Sequence, residues 1–369
     1  MRTDPFANYP EDIARRIADE QKRIMAKYGS SSPRHVLLIG GSGYIGSPLT
    51  MHLLSLGYRV TNLDLHVYGH GSIPLAYLAH PRYRLVSGDM GDASRLNYAL
   101  EGVTDVVLLA GLVGDPITKK FPNESAAIND LALRNCIDQL IGRGLERVVF
   151  ISTCSNYGLV EEDILVNEES PLLPLSLYAK SKVAAEKYIL SLKGKVDYHA
   201  TILRFATAFG LSPRMRFDLT VNEFVRKLYL GKKLVVYDEQ SWRPYCHVKD
   251  FATLIERVLV FPAEDISFEV FNVGTERNNH TKKEIVDIIL IRLPDRKVYY
   301  SSNGTDLRNY RVDFSKVRAR LHFEPRYSVA DGVDEIIWAI KEGMLENVER
   351  LPNIYGNYDL PLLRSSTAA

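Results

Sequence analysis

His35-Val36-Leu37-Leu38-Ile39-Gly40-Gly41-Ser42-Gly43-Tyr44-Ile45-Gly46 is the stretch that decides the fold. Its first five residues form a short, apolar run that reads as a parallel strand buried on both faces. Pro48 to Leu56 then reads as a helix, closed by Gly57. Strand, glycine turn and helix in that order are the setting in which such a loop binds a dinucleotide. Gly40 permits the tight turn, Gly43 the close approach of a pyrophosphate, and Gly46 close packing of helix on strand. Tyr44 and Ile45 lie within the same cradle. The next strand, near residues 58–63, leads to Asp64, about 20 residues beyond the loop, where a carboxylate meets ribose hydroxyls. Leu65 follows, not a basic residue suited to a 2′-phosphate, so the expected cofactor is NAD.

Outward from this unit, strands and helices alternate from residue 34 to about 210, as in a parallel sheet covered on both faces. Strands are expected at 35–39, 58–63, 83–86, 105–110, 147–152 and 199–203. Asp89 and Met90 follow the third strand, and Asp89 reads either as an acceptor for the adenine amino group or as a helix cap. Ala110, followed by Gly111, brings small residues against the cofactor. Beyond Gly210 the pattern loosens into a smaller mixed lobe, which includes a strand near Glu269–Val273. The expected class is α/β, a Rossmann-like doubly wound parallel sheet with a smaller mixed α/β C-terminal substrate lobe. The regions read as 1–33, an N-terminal helical arm; 34–210, the NAD-binding domain; 211–345, mainly the substrate-binding lobe; and 346–369, a C-terminal tail. In the arm, Ile13, Ile17, Ile24, Met25 and Tyr28 fall on one side of a helix that Gly29 stops. That helix either packs on the main domain or contacts a second subunit.

Chemistry enters with Leu177-Tyr178-Ala179-Lys180-Ser181-Lys182. Tyr178 and Lys182 are four apart, so on a helix they share a face. A phenol, whose ordinary pKa is about 10, needs a cationic neighbour to act as a base near neutral pH. With the glycine loop upstream, the pair describes a hydride-transfer site. Phe150-Ile151-Ser152-Thr153-Cys154-Ser155 leaves the fifth strand at its carboxyl end, where such sheets bind ligands.

The 369 residues are 46% hydrophobic and 25% charged, as in globular enzymes. A formal net charge of +1 gives no global attraction to nucleic acid or membrane. No apolar run approaches the ~20 residues of a membrane span. Met1-Arg2-Thr3-Asp4-Pro5 has no signal-peptide core. Cys136, Cys154 and Cys246 have no paired or metal-ligand spacing, and a cytoplasmic location without disulfide or metal is expected. His66, His70 and His80 read as loop residues, and His247 as structural.

The glycine loop with Asp64, Gly88-Asp89, Leu109-Ala110-Gly111, Ser152-Thr153, Tyr178-x-x-x-Lys182 and Leu203-Arg204-Phe205 occur in the order of the extended short-chain dehydrogenase/reductase family. The chain resembles its nucleotide-sugar epimerase/dehydratase group over about residues 34–345. Ser212-Pro213-Arg214-Met215-Arg216-Phe217-Asp218 and Asp306-Leu307-Arg308-Asn309-Tyr310 resemble a subset of sugar C4 epimerases and 4-dehydrogenases. The resemblance implies that Tyr178 is the base on a sugar hydroxyl, that Lys182 holds the nicotinamide ribose, and that Thr153 orients the sugar oxygen. The substrate it implies is a nucleotide-diphosphate sugar. Arg243 and Arg308 are the first candidates for the diphosphate, a role that suits a bidentate guanidinium. Arg214 and Arg216 come second, one of them pairing with Asp218. The family's 4,6-dehydratases carry acids where this chain has Cys154 and Ser155, and its decarboxylases carry Glu at the position of Ser155. Both reactions are therefore disfavoured. Epimerisation and net oxidation or reduction at C4 both stay open. A sensor or scaffold that binds NAD without catalysis would typically have lost the Tyr or the Lys. The family also implies a homodimer, paired through helices beginning near Asn123 and Tyr178.

Overall fold

The computed structural model describes residues 9–28, 34–161, 164–302, 304, 306–345 and 348–361. Five strands build the first part of the sheet: β1 (His35–Ile39), β2 (Arg59–Asp64), β3 (Tyr83–Ser87), β4 (Asp105–Leu108) and β5 (Arg147–Thr153). Two more, His199–Phe205 and Glu269–Val273, extend it beyond β5. All neighbours are parallel, and the order across the sheet is 269–273, 199–205, β5, β4, β1, β2, β3. The chain runs outward from β1 in both directions. The crevice between β1 and β4 is thus the switch point at which such sheets bind ligands.

Burial explains the unbroken apolar run of β1. Val36 and Leu38 pack into a core on one face, with Leu49 and Leu53 of the Gly46–Ser55 helix and with residues of the Val248–Val260 helix. Leu37 and Ile39 pack into a core on the other, with Leu96, Ile137 and Ile189. Side chains alternate across a strand, so a strand covered on both sides buries successive positions, and Val36 to Ile39 are apolar without a break.

The strand expected in the smaller lobe near 269–273 is instead the seventh strand of the main sheet, registered against Thr201–Phe205. The Val248–Val260 helix likewise packs on the helix that follows the glycine loop. The chain therefore returns to the main sheet after Gly210, and the lobe is assembled from separated segments. These include the Leu234–Tyr237 and Val298–Ser301 strand pair and the helices Thr220–Tyr229, Lys282–Leu290 and Val329–Lys341. Period and composition did not reveal the return, because a buried strand looks alike in either layer.

The N-terminal helix, Glu11–Tyr28, packs at the amino edge of the sheet. Ile17 and Ile24 are fully buried, whereas Met25 is 37% exposed and lies off the packed face. Arg23 and Lys27 pair with Glu146 at 2.7 Å each, just before β5. Glu20 pairs with Arg147 at 2.7 Å. Gly29, expected as the helix stop, and residues 30–33 lie outside the described residues.

Candidate active site

At the carboxyl edge of the sheet, one cleft of about 360 Å³ runs from the glycine loop to the smaller lobe, a volume usual for ligand sites. Gly40, Gly43, Tyr44, Ile45, Gly46, Asp64, Asp89, Met90, Ala110, Thr153, Tyr178, Lys182, Arg214, Arg216, Arg243 and Arg308 all line it. These residues come from widely separated parts of the sequence, and the fold brings them to a single surface.

The dinucleotide end has the geometry its glycines require. A Cβ on Gly40, whose φ is +89°, would lie 2.7 Å from the Ala110 nitrogen. A Cβ on Gly46 would lie 2.5 Å from Gly41 Cα. The loop therefore packs backbone on backbone, and no side chain caps the N-terminus of the Gly46–Ser55 helix at Ile45. An uncapped helix N-terminus facing a cleft suits a pyrophosphate. The Tyr44 phenol does not project into the cleft as a ligand group. It donates to Gly210 O at 2.7 Å and accepts from Asn222 at 2.9 Å, tying the loop to the smaller lobe.

Asp64 ends β2 with its carboxylate fixed: Oδ2 accepts from Ser42 N at 2.9 Å and Oδ1 from His66 N at 2.8 Å. Burial opposes its charge, but the neighbouring His70 and His66 with these N–H groups hold the carboxyl below its ordinary value. Oδ1 also faces His70 Nε2 at 3.6 Å, while Oδ2 keeps a lone pair for a ribose hydroxyl. Asp89 accepts from Gly91 N at 2.8 Å and closes a turn, while the helix cap is Asp92. Asn129 lies in a π-helical segment, Ala126–Ala132, and clasps both the N–H and the carbonyl of Leu112.

The catalytic candidates meet where β5 and the Leu177–Ser191 helix converge. Ser176 caps that helix by accepting from Ala179 N. Lys182 Nζ donates to Ile151 O at 2.8 Å and lies 5.9 Å from the centre of the Tyr178 ring. Burial lowers the Lys182 ammonium to about 8, against the opposing charge of Glu186. Burial also pushes the Tyr178 phenol up, and the cations opposing that rise are Arg216 and Arg308. The sequence pattern pointed to Lys182 as the activating neighbour; the cations that act on the phenol include Arg216 and Arg308 of the smaller lobe, across the cleft. Thr153 Oγ1 accepts from Ser155 N at 3.1 Å. Cys154 is buried, its thiol raised by desolvation. Ser155 Oγ accepts from Arg308 Nη1 at 3.1 Å.

The four arginines are not equivalent. Arg308 is bidentate to Asp306, at 2.8 Å for each bond, and its Nη2 lies 3.1 Å from Asp115. Arg243 Nη1 donates to two backbone carbonyls, those of Trp242 and Arg308. Its Nη2 lies 3.1 Å from Asp306 but is not aligned for a hydrogen bond. Arg216 is the one that pairs with Asp218. Arg214 donates to the carbonyls of Asn353 and Gly356, 3.0 Å each, in the C-terminal segment. His247 is buried against Glu335 and stacks on Tyr327, a structural arrangement.

Sequence reasoning missed Glu186, Asp115, Lys282 and Asn357. Glu186 accepts from Ser152, from Asn156 at 2.8 Å and from Arg204 at 2.7 Å, tying the catalytic helix to β5 and its neighbour. It lies one turn beyond Lys182, so the i, i+4 spacing that joins Tyr178 to Lys182 also reaches it. Asp115 follows the fourth strand at the ligand-binding edge, a positional signal available in the sequence. Lys282 and Asn357 gave none.

Residues 36–274 match the NAD dependent epimerase/dehydratase family, and the chain belongs to it. UDP-arabinose 4-epimerase 1 of Arabidopsis thaliana is 26% identical over 82% of this chain and 78% of its own length. dTDP-glucose 4,6-dehydratase of Streptomyces niveus is 28% identical over 82% of this chain and 91% of its own. The structure of dTDP-glucose 4,6-dehydratase from Bacillus anthracis in complex with NAD superposes with a TM-score of 0.74 at 25% identity, over 86% of this chain and 98% of that one. The fold is that of the nucleotide-sugar epimerases and dehydratases, and the cofactor is NAD. No described helix is long and apolar enough to cross a membrane.

Proposed function

We propose that this chain acts at C4 of a nucleotide-diphosphate sugar through a 4-keto sugar, by epimerisation or by net oxidation or reduction. The observation that carries the reading is the gathering of Tyr178, Lys182 and Thr153 in one cleft, with Cys154 and Ser155 where elimination would need acids. Two of the acids that line the cleft, Asp115 and Asp306, lie beside Ser155's partner Arg308, and both are held by it. The named relatives divide between 4-epimerases and 4,6-dehydratases, and this local chemistry favours the former.

Bound NAD supplies the hydride acceptor at C4 and can return the hydride. Tyr178 moves the O4 proton, as base in one direction and acid in the other. A phenol kept neutral by burial is a ready donor to a keto oxygen, and the cations around it offset the cost of the phenolate. Lys182, anchored on Ile151 O, holds the nicotinamide ribose in this reading. Thr153 orients the sugar oxygen. Arg243 and Arg308, set side by side by Asp306, receive the diphosphate, with Lys282 at the same end of the cleft.

Two copies pair through the helices that begin near Asn123 and Tyr178 in this reading, the helical run from Pro122 to Leu140 and the Leu177–Ser191 helix, and the cytoplasm is the compartment. Sedimentation that finds only monomer would remove the pairing and leave the chemistry standing. Deuterium at sugar C4 tests the chemistry. Label retained in an inverted sugar marks an epimerase, and label recovered in NADH or in a second carbonyl compound marks a 4-dehydrogenase. A product lighter by water or carbon dioxide would overturn the reading.

A further inference from the structure

The C-terminal segment lies against the cleft, lining it with Asn357 and bonding Arg214 through the Asn353 and Gly356 carbonyls. Leu360 is 1% exposed and packs in an apolar cluster with Tyr68, Leu112, Ile117 and Phe121. Tyr68 belongs to the loop after β2, and Leu112 to the loop after β4. The segment thus spans the two loops that flank the switch point. Lys120 donates to Tyr358 O at 3.0 Å, and Phe217 N donates to Tyr355 O at 2.7 Å, pinning it to both lobes.

Two polar side chains at this crossing have unspent bonding capacity. Asn357 is 7% exposed, donates through Nδ2 to Val113 O at 2.8 Å, and lines the cleft. Its Oδ1 is buried without a partner. Arg214 is 2% exposed, and its Nε is likewise buried without a partner. Among the described residues no carboxylate lies within ion-pair distance of its guanidinium, which rests 4.9 Å from the Tyr68 ring centre. Burial lowers its pKa to about 10, with Arg216 acting in the same sense. A buried, unpaired guanidinium is costly unless an anion arrives. The anion of a dinucleotide seated on the glycine loop is its pyrophosphate.

We propose that residues 353–360 form a strap that clamps the bound NAD, with Arg214 held by the strap to face the pyrophosphate and Asn357 accepting a hydrogen bond from a cofactor hydroxyl. This moves Arg214 from the sugar nucleotide to the cofactor. Release of NAD then requires the strap to undock, so the cofactor stays through repeated turnovers. Retention suits a reaction that returns its hydride to the same sugar.

The test reads bound cofactor, not turnover, so its failure leaves the C4 reading untouched. Radiolabelled NAD is loaded on the full chain, and its dissociation is followed by rapid gel filtration. Leu360→Ser, which undocks the strap without touching the ligand, should speed release by about tenfold or more, since such changes act mainly on off-rates. Arg214→Gln should do the same, and Asn357→Ala should speed release a fewfold. UDP-glucose affinity of NAD-loaded protein, used as the sugar-nucleotide probe, should hold in all three. Wild-type release from folded Leu360→Ser and Arg214→Gln overturns the clamp. Weakened UDP-glucose binding with unchanged NAD release also overturns it and gives the strap to the sugar nucleotide. If circular dichroism shows Leu360→Ser or Arg214→Gln unfolded, Asn357→Ala decides, and a wild-type rate there refutes the proposal.

Discussion

Glu186→Gln is expected to loosen the catalytic edge without removing any group proposed to touch a ligand. Glu186 and Arg204 have side chains 1% and 5% exposed, so solvent does not screen their 2.7 Å contact. Breaking a buried pair from one side costs about 3–5 kcal/mol, and the lower figure fits a substitution that keeps the shape and some hydrogen bonds. With 369 residues, the unfolding entropy is about 0.8 kcal/mol/K, so a loss of about 3 kcal/mol lowers the melting temperature by about 4 °C. The second effect is electrostatic. Glu186 is the charge that holds the buried Lys182 ammonium up near 8, and the glutamine lets it fall further. In the wild type the folded chain releases the Lys182 proton at about 8 and the unfolded chain at the ordinary 10.5. Between those values the unfolded state binds more protons, so the contribution of Lys182 to stability rises with pH across that window. Activity that needs the ammonium falls over the same range. The variant should therefore show the alkaline limb of its kcat/KM profile at lower pH than wild type. The assays are thermal unfolding and a pH–rate series. Adding Arg204→Met should recover much of the melting temperature, because no charge is then stranded, but should not restore the limb. An unchanged melting temperature with an unmoved limb would refute both steps of this reasoning.

Tyr178→Phe should lower turnover by several orders of magnitude while NAD stays bound; near wild-type rates by direct product assay would end the proposed proton transfer. Arg243→Ala and Arg308→Ala should each weaken sugar-nucleotide binding about ten- to hundredfold by calorimetry, the worth of a charged hydrogen bond, and normal binding in both would displace the diphosphate from this end of the cleft. Titrations should favour NAD over NADP by at least about tenfold, because a 2′-phosphate would meet Asp64; equal affinities would show that Asp64 does not face the ribose.

The sheet was legible because its central strands are buried on both faces and separated by helices, which leaves apolar runs such as Val36–Ile39 and Val148–Ile151 in plain view. The dinucleotide loop was legible because Gly40 and Gly46 leave no room for a Cβ. What the sequence hid depends on long-range return of the chain. Glu269–Val273 carries nothing that says which sheet it joins. The Tyr178–Lys182 spacing showed a shared helix face but not that Arg216 and Arg308 would act on the same phenol from the other lobe. The strap is the extreme case, since Asn357 reaches Val113 across 244 positions of sequence.

The charges of the cleft also bear on the proposed C4 chemistry without elimination. An acid that protonates a leaving hydroxyl must be free to hold a proton at neutral pH. Asp306 is not: burial alone would raise its carboxyl, but Arg308 and Arg243 pull it far below the ordinary range. Asp115 shares the same guanidinium through Oδ2. Arg308 in turn donates to Ser155, the position where the family resemblance implies an acid in the dehydratases. Replacing Ser155 by an acid in this setting would place a third carboxylate beside Arg308, whose charge favours the ionised form of that acid. Converting the chain to a dehydratase therefore requires changing the arginine and its partners together, and Ser155→Glu alone should yield no product lighter by one water.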